Sequence, residues 1–275
     1  MSSTVKHGRK NILSIITPVF NGEKHIQECI EVVINQACPY AEHVIVDGQS
    51  TDRTVESIQD YASRYRHIRW ISEKDSGQSE ALNKGVAMAE GDILGMLNAD
   101  DFYEPDVLNR VVKIFKTLPK PSLLVGNCNV WSNEGKLLYV NRPSKLKITD
   151  LLLGGIFPHP VNPTAYFYHK SLHERIGPYK IGEIGQDLPF ILSAVQAANV
   201  FYMNETWGNY RLLDDTLTVR EQKDGSGALR YRRIIGEYYD RLSAGGKIKV
   251  ILKKLYYRMR GKLRKLLEPI SKKTK

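Results

Sequence analysis

Two hydrophobic periods alternate along the first 118 residues. Residues 12–17 form a short, almost wholly apolar run rich in β-branched side chains, and residues 23–36 follow with Ile26, Ile30, Val33 and Ile34 at helical spacing. The strand pattern returns at 43–46. A helical pattern with Val55, Ile58 and Ala62 follows it, with Ser50 or Thr51 as the cap. Residues 68–71 read as a strand, 79–90 as a helix carrying Ala81, Leu82, Val86 and Ala89, and 92–97 as a fourth strand. Residues 104–118 read as a helix opened by Glu104-Pro105, where a missing backbone donor is tolerated. Short apolar strands alternating with amphipathic helices predict βαβ units on a parallel sheet covered on both faces. Beyond Pro119 the rhythm changes. Residues 125–131 and 136–140 read as a hairpin around Asn133-Glu134-Gly135, 165–168 as a strand and 188–198 as a helix. The expected class is α/β, a mostly parallel sheet flanked by helices, in one continuous fold.

Ligands of an open parallel sheet bind beyond the carboxyl ends of its strands, and the unusual residues of the first half gather there. Strand one ends in Thr17-Pro18-Val19-Phe20-Asn21-Gly22 and strand two in Asp47-Gly48-Gln49-Ser50-Thr51-Asp52. Glu73-Lys74-Asp75-Ser76-Gly77-Gln78-Ser79 follows strand three, and Asn98-Ala99-Asp100-Asp101 ends strand four. Each alone reads equally as a turn or a helix cap. Four in succession predict one crevice where carboxylates converge around a cation or a hydrogen-bond donor. Asp100, with Asn98 or Asp101, offers the hard oxygens that Mg²⁺ or Mn²⁺ takes while phosphates and water complete its shell. The amides of Gly77-Gln78-Ser79 precede a helix and suit a phosphate. Neither GxGxxG nor GxxxxGK[ST] is present, which disfavours Rossmann hydride transfer and P-loop hydrolysis.

These residues resemble the family-two glycosyltransferases of GT-A fold. The resemblance rests on Pro18-Val19-Phe20-Asn21, on Asp47 through Thr54, on Gly77-Gln78-Ser79-Glu80-Ala81-Leu82-Asn83-Lys84-Gly85, and on Ala89-Glu90-Gly91-Asp92 followed by Asn98-Ala99-Asp100-Asp101. The resemblance implies a nucleotide-sugar pocket made by Pro18, Phe20, Asn21, Asp47, Gly77, Gln78, Ala81, Asn83, Asn98 and Asp100. In it Asp47 recognises the base, and Asp100 with Asn98 holds Mg²⁺ or Mn²⁺. Asn98 stands where the family's Asp-Xaa-Asp has its first acid, and an amide oxygen is the weaker ligand. Gly182-Glu183-Ile184-Gly185-Gln186-Asp187 matches the loop that carries the family's general base, which makes Asp187 the candidate base. Its alternative is a cap for the helix at Leu188. His159, between Pro158 and Pro160, matches a histidine of similar sequences and is a candidate for contact with diphosphate or acceptor.

The chain carries a net charge of +10, and the excess has an address. Residues 241–275 hold 13 Lys and Arg against one acid, Glu268, a balance of +12, and the first 240 residues sum to −2. A nucleic-acid binder as a whole is thereby disfavoured. In the tail, Ile248, Leu252, Leu255, Met259, Leu263, Leu266 and Ile270 step by three or four, an apolar stripe beside lysines and arginines. Such a helix, over residues 247–270, suits an anionic membrane surface, with packing on the domain, dimer contact and nucleic-acid binding as alternatives. Cys29, Cys38 and Cys128 lack metal or disulfide spacing and read as reduced thiols of a cytoplasmic protein. The basic start at Lys6, Arg9 and Lys10 mimics a leader, but Pro18 and Asn21-Gly22 close the apolar run that follows, which reads as the first strand.

The expected division is 1–118 as the nucleotide-sugar half, 119–243 as the acceptor and base half of the same domain, and 244–275 as a basic amphipathic tail. The expected activity is inverting transfer of a hexosyl or N-acetylhexosaminyl unit from a UDP-, GDP- or dTDP-linked donor. The acceptor would be a hydroxyl on a lipid-linked or growing polysaccharide, and the enzyme peripheral on the inner face of the membrane. A nucleotidyltransferase acting on a sugar phosphate, which would want an Arg- or Lys-bearing glycine loop after strand one, and a non-catalytic membrane-binding module are the competing readings.

Overall fold

The computed structural model describes residues 12–182, 185–214 and 216–271, without the side chains of 217, 218, 222 and 261–271. Lys6, Arg9 and Lys10, Glu183 and Ile184 of the base loop, and the side chains of Lys262, Leu263, Leu266 and Ile270 lie outside the described residues. The first half runs β1 (Leu13–Val19), α1 (Ile26–Asn35), β2 (Ala41–Asp47), α2 (Thr54–Arg64), β3 (Ile68–Ser72), α3 (Gln78–Met88) and β4 (Ile93–Met96). A short β5 (Phe102–Tyr103) and α4 (Val107–Phe115) close it. The second half runs β6 (Ser122–Trp131), β7 (Leu137–Asn141), α5 (Ile148–Leu151), β8 (Tyr166–His169), α6 (Leu172–Ile176), α7 (Asp187–Ala197) and β9 (Asn199–Arg211). Three helices end it: α8 (Leu217–Asp224), α9 (Ser226–Asp240) and α10 (Ala244–Ser271).

The strands form one sheet in the order β3-β2-β1-β4-β8-β6-β9-β5, with β7 beside β6. The βαβ pattern of the first half is realised: β3, β2, β1 and β4 are mutually parallel. The order reverses at β1, so the loops after β1 and β4 flank the switch point where such sheets open a crevice. In the second half the pairing is mostly antiparallel. β8 runs antiparallel to β4 and β6, β5 antiparallel to β9, and only β6 with β9 is parallel. The predicted hairpin is present as β6 and β7. The predicted helix over 104–118 begins later, at Val107, because Phe102 and Tyr103 pair with β9 and Asp106 turns the chain at φ 61°.

Apolar side chains fill both faces. Val44, Val46, Leu94, Tyr166, Tyr168 and Ile191 belong to one large buried cluster, and Leu13, Ile15, Val111, Leu124, Phe167 and Trp207 to a second. Trp207 is wholly buried, and its ring lies so close over β6 that a Cβ on Gly126 would stand 2.5 Å from it. Native packing density leaves no slack for that methyl. The halves thus share one core, which fixes their loops against each other.

Helix α10 docks through a face that the apolar stripe does not predict. Val250 is fully buried, Lys253 Nζ reaches Asp150 at 2.6 Å and Thr149 at 3.0 Å, and the Tyr257 ring meets Phe157 edge-on at 5.1 Å. The stripe residues Ile248, Leu252, Leu255 and Met259 are turned outward and exposed.

Candidate active site

Backbone and side-chain hydrogen bonds weld the first two loops into a frame. Asn21 sits at φ 50°, its side-chain oxygen accepts from Thr51 N at 2.9 Å, and its own N–H donates to Ser50 Oγ at 2.8 Å. Gly22 N donates to Thr54 Oγ1 at 2.8 Å, and Asp52 accepts from Glu23 N and Thr54 N. This frame leaves Phe20 63% exposed at the lip of the crevice. Asp47 is its keystone. Its carboxylate accepts from Ser50 N at 3.0 Å, Ser72 Oγ at 2.6 Å and Ser50 Oγ, and the residue is wholly buried. Asp47 was expected to meet the base; Ser50 and Ser72 of β3 hold its carboxylate beneath the loop, outside the cleft lining. The acid that faces the cleft there is Asp75, packed on Gly48 and accepting from Gly77 N at 2.9 Å.

Gly77 turns the chain at φ 125° into the N-terminus of α3, and Gln78 donates to Asn98 Oδ1 at 3.2 Å. Asn98 donates in turn to Asp101 at 2.9 Å. Asp101 is buried and gathers three elements: it also accepts from Asn162 Nδ2 at 2.8 Å and from Arg211 N at 3.1 Å. Burial, with the neighbouring Asp100 carboxylate second, pushes its carboxyl up to about 8. Asp101 therefore joins the fourth loop of the first half to the 162 loop and β9 of the second.

Across the crevice, Asp187 opens α7 at the rim. It takes a hydrogen bond from Tyr166 Oη at 3.3 Å, and the cap position itself is held by Gln186, whose side chain makes no cap bond. Burial raises its carboxyl to about 6, and Tyr166 and the Arg230 charge oppose the rise. Arg230 is held by Glu221 through two hydrogen bonds, one at 2.6 Å, and its guanidinium packs on Gly185.

These loops surround one cleft of about 690 Å³. It brings together Pro18, Phe20, Asn21, Gly77, Gln78, Ala81, Asn98, Asp100 and Asp187 of the predicted set. Three predicted residues are absent from its lining: Asp47, held beneath the loop, Asn83 and His159. Asn83 clamps the backbone of Tyr179 with both amide atoms, at 2.8 and 2.9 Å, and so ties α3 to the second half. His159 points away: its Nε2 lies 3.1 Å from Leu151 O, its ring packs edge-on against Tyr231 at 5.5 Å, and burial lowers its pKa. The proline-fixed loop aims it at backbone instead of at the cleft. Sequence reading passed over Asp75, Tyr210, Glu221 and Arg230, which also line the cleft. Asp75 was within reach, in a loop already singled out, whereas Glu221 and Arg230 sit in polar helical stretches with no motif.

A divalent cation fits the donor set. Asp100 and Asn98 bring a carboxylate and an amide oxygen from one turn into the cleft, and Asn98 Oδ1 keeps a lone pair beyond its bond to Gln78. Among the described residues no three His, Cys, Asp or Glu side chains cluster as ligands. A cation would therefore complete its shell with ligand phosphates and water, the usual habit of Mg²⁺.

Comparison with known proteins agrees with this geometry. A chondroitin synthase of Escherichia coli is 34% identical over 138 residues, half of this chain and 20% of that protein. The teichuronic acid biosynthesis glycosyltransferase TuaG of Bacillus subtilis, itself assigned only putatively, is 26% identical over 220 residues, 78% of this chain and 84% of that one. Among solved structures, S. aureus TarS 1–349 bound to UDP-GlcNAc superposes with a TM-score of 0.65 at 16% identity, over 89% of this chain and 71% of that one. The mannosyltransferase PcManGT of Pyrobaculum calidifontis, in complex with GDP-Man and Mn²⁺, does so with a TM-score of 0.57 at 18% identity, over 95% and 82%. The model of glycosyl transferase family 2 matches residues 14–176, more than half of the sequence. The chain belongs to glycosyl transferase family 2.

Proposed function

We propose that the chain transfers a hexosyl or N-acetylhexosaminyl unit from a nucleotide-diphosphate sugar to a hydroxyl acceptor, with inversion at the anomeric carbon. The observation that carries this reading is the cleft itself, where Asp100 and Asn98 of the first half face the Asp187 carboxylate of the second. The exposed Phe20 ring, with Pro18 and Asn21, offers a platform for a nucleobase. The α3 N-terminus at Gly77 and Gln78 offers amides to a phosphate.

Asp187 would remove the proton from the acceptor hydroxyl. The oxygen then bonds to the anomeric carbon, and the sugar–diphosphate bond breaks with its electron pair leaving on the diphosphate. A cation on Asp100 and Asn98 would neutralise that departing charge. A base raised to about 6 is deprotonated at neutral pH yet basic enough to accept a proton. PcManGT was solved with GDP-Man and Mn²⁺ and TarS with UDP-GlcNAc, which supports a nucleotide-sugar donor with a cation.

The chain spans a fifth of the chondroitin synthase, so the acceptor is read from this molecule alone. No described helix is long and apolar enough to cross a membrane. The outward apolar residues of α10, beside Lys249, Arg258 and Arg260, support a resting place on an anionic lipid surface and hence a lipid-linked or growing polysaccharide acceptor. The donor is tested by the thermal midpoint with UDP, GDP, dTDP and CMP, with and without Mn²⁺. One nucleoside diphosphate should stabilise the protein, more so with Mn²⁺, and no shift with any of them would defeat the proposal.

A further inference from the structure

A second cavity lies between α9 and α10, outside the catalytic cleft. It is a groove open to solvent of about 420 Å³, within the range that binds small ligands. Its walls are apolar, from Leu152, Ile235, Tyr239, Val250 and Ile251. Two cations, Arg232 and Lys254, also line it, and among the described residues neither has an ion pair or a side-chain hydrogen bond.

Gly236 explains why the cavity is open. It lies inside α9, where glycine holds a helix less well than alanine. A Cβ built there would meet nothing within 4 Å, so no neighbour demands the absence of a side chain. What the missing side chain provides is the space. The cavity is also continuous with the outer face of α10: Ile251 lines it and is itself 48% exposed, next to the outward-facing Leu252 and Leu255. An apolar slot that opens beside an exposed apolar stripe and carries two cations unpaired among the described residues matches a hydrocarbon chain ending in a phosphate.

We infer that this cavity binds the chain of a long-chain phosphate ester, with the phosphate on Arg232 and Lys254. Helix α9 sets it beside the reaction site. Arg230 lines the cleft and its neighbours Tyr231 and Arg232 line the cavity, so the two sites flank one helix, about 10 Å across. The inference rests on the proposed transfer only in giving the bound lipid a use, as the anchor of the acceptor. Binding is tested apart from transfer.

The test is calorimetric titration with dodecyl phosphate, dodecyl maltoside and inorganic phosphate, both amphiphiles below their micelle concentrations. Dodecyl phosphate should bind, the uncharged amphiphile about tenfold more weakly, and inorganic phosphate not measurably. Gly236→Phe, which fills the slot, should weaken dodecyl phosphate by at least about tenfold, while Gly236→Ala leaves it unchanged. Arg232→Gln with Lys254→Gln should bring dodecyl phosphate down to the affinity of the uncharged amphiphile and serves as the second probe if Gly236→Phe does not fold. Nucleotide binding on the same samples should stay at the wild-type level, which separates failure here from failure of the transferase reading. Binding of dodecyl phosphate unaffected by Gly236→Phe or by the double variant, or inorganic phosphate binding as well as the ester, overturns the inference.

Discussion

On the parallel side of the sheet, most cleft residues sit in a turn that follows a strand or opens the next helix. Phe20 and Asn21 end β1, Gly77 and Gln78 precede or open α3, and Asn98 and Asp100 follow β4. On the antiparallel side the cleft is assembled from distant pieces. Asn162 comes from the loop before β8, Asp187 from the start of α7, Tyr210 from the end of β9, and Arg230 from α9. The first arrangement is local and periodic, so a ligand's diphosphate can be held by residues close in sequence. The second depends on long-range strand pairing and core packing. Asp101 and Asn83 are the pins between them, the one bonded to Asn162 and Arg211, the other to Tyr179.

The sharpest break in this comparison is Asp187→Asn. It should lower transfer by about 10²–10⁴-fold, the weight of a general base, with nucleotide affinity unchanged. Loss of nucleotide affinity in equal measure would put the second half in donor binding. The same variant carries a stability signature. A carboxyl raised by burial keeps its proton longer in the folded state, so its contribution falls as pH rises from the ordinary carboxylate range through about 6. Asp187→Asn should therefore be at least as stable as wild type at pH 7 by urea denaturation, and a clear loss there would mark the side chain as structural.

Trp207→Ala should cost about 3–5 kcal/mol in urea unfolding, since a fully buried ring under β6 leaves a cavity. The expected consequence is loss of both sides of the cleft together, because one core carries both. Asn83→Ala should cost about 1–3 kcal/mol by leaving the Tyr179 backbone groups unpaired, and should leave the nucleotide dissociation constant in place. A raised dissociation constant without lost stability would return Asn83 to the donor pocket. The smallest effect on the fold should come from Leu252→Asp with Leu255→Asp. These half-exposed positions should change stability by no more than about 0.5 kcal/mol each. They should nevertheless release the protein from anionic vesicles in a sedimentation assay, whereas truncating α10 would also strip Val250 and Lys253 from the core surface.

The same contrast explains what was legible in the sequence. The βαβ half was readable because strand and helix periods alternate over short distances and its turns carry glycine, asparagine and aspartate in a recognisable order. Asp187 was reachable through a loop of known character. The surroundings of Asp47 were not legible, because sequence shows a carboxylate after a strand and cannot show that Ser50 and Ser72 bond to it. Strand β9, thirteen residues long, was not named because it is set by pairing with β6 across more than 70 residues. The apolar stripe of α10 was found, yet it marks the free face of the helix. The docking face is built from Val250, Lys253 and Tyr257, whose partners Asp150 and Phe157 are remote in sequence.

The central claim is that Asp187 acts as the base in a cleft whose donor side is independent of it. The most direct test is the pH dependence of kcat/KM for transfer alongside nucleotide affinity in the same buffers. Transfer should fall about tenfold per pH unit below about 6, the value to which burial raises Asp187, while nucleotide affinity stays level. Transfer that holds level down to pH 5, or that falls only in step with nucleotide affinity, would contradict the account.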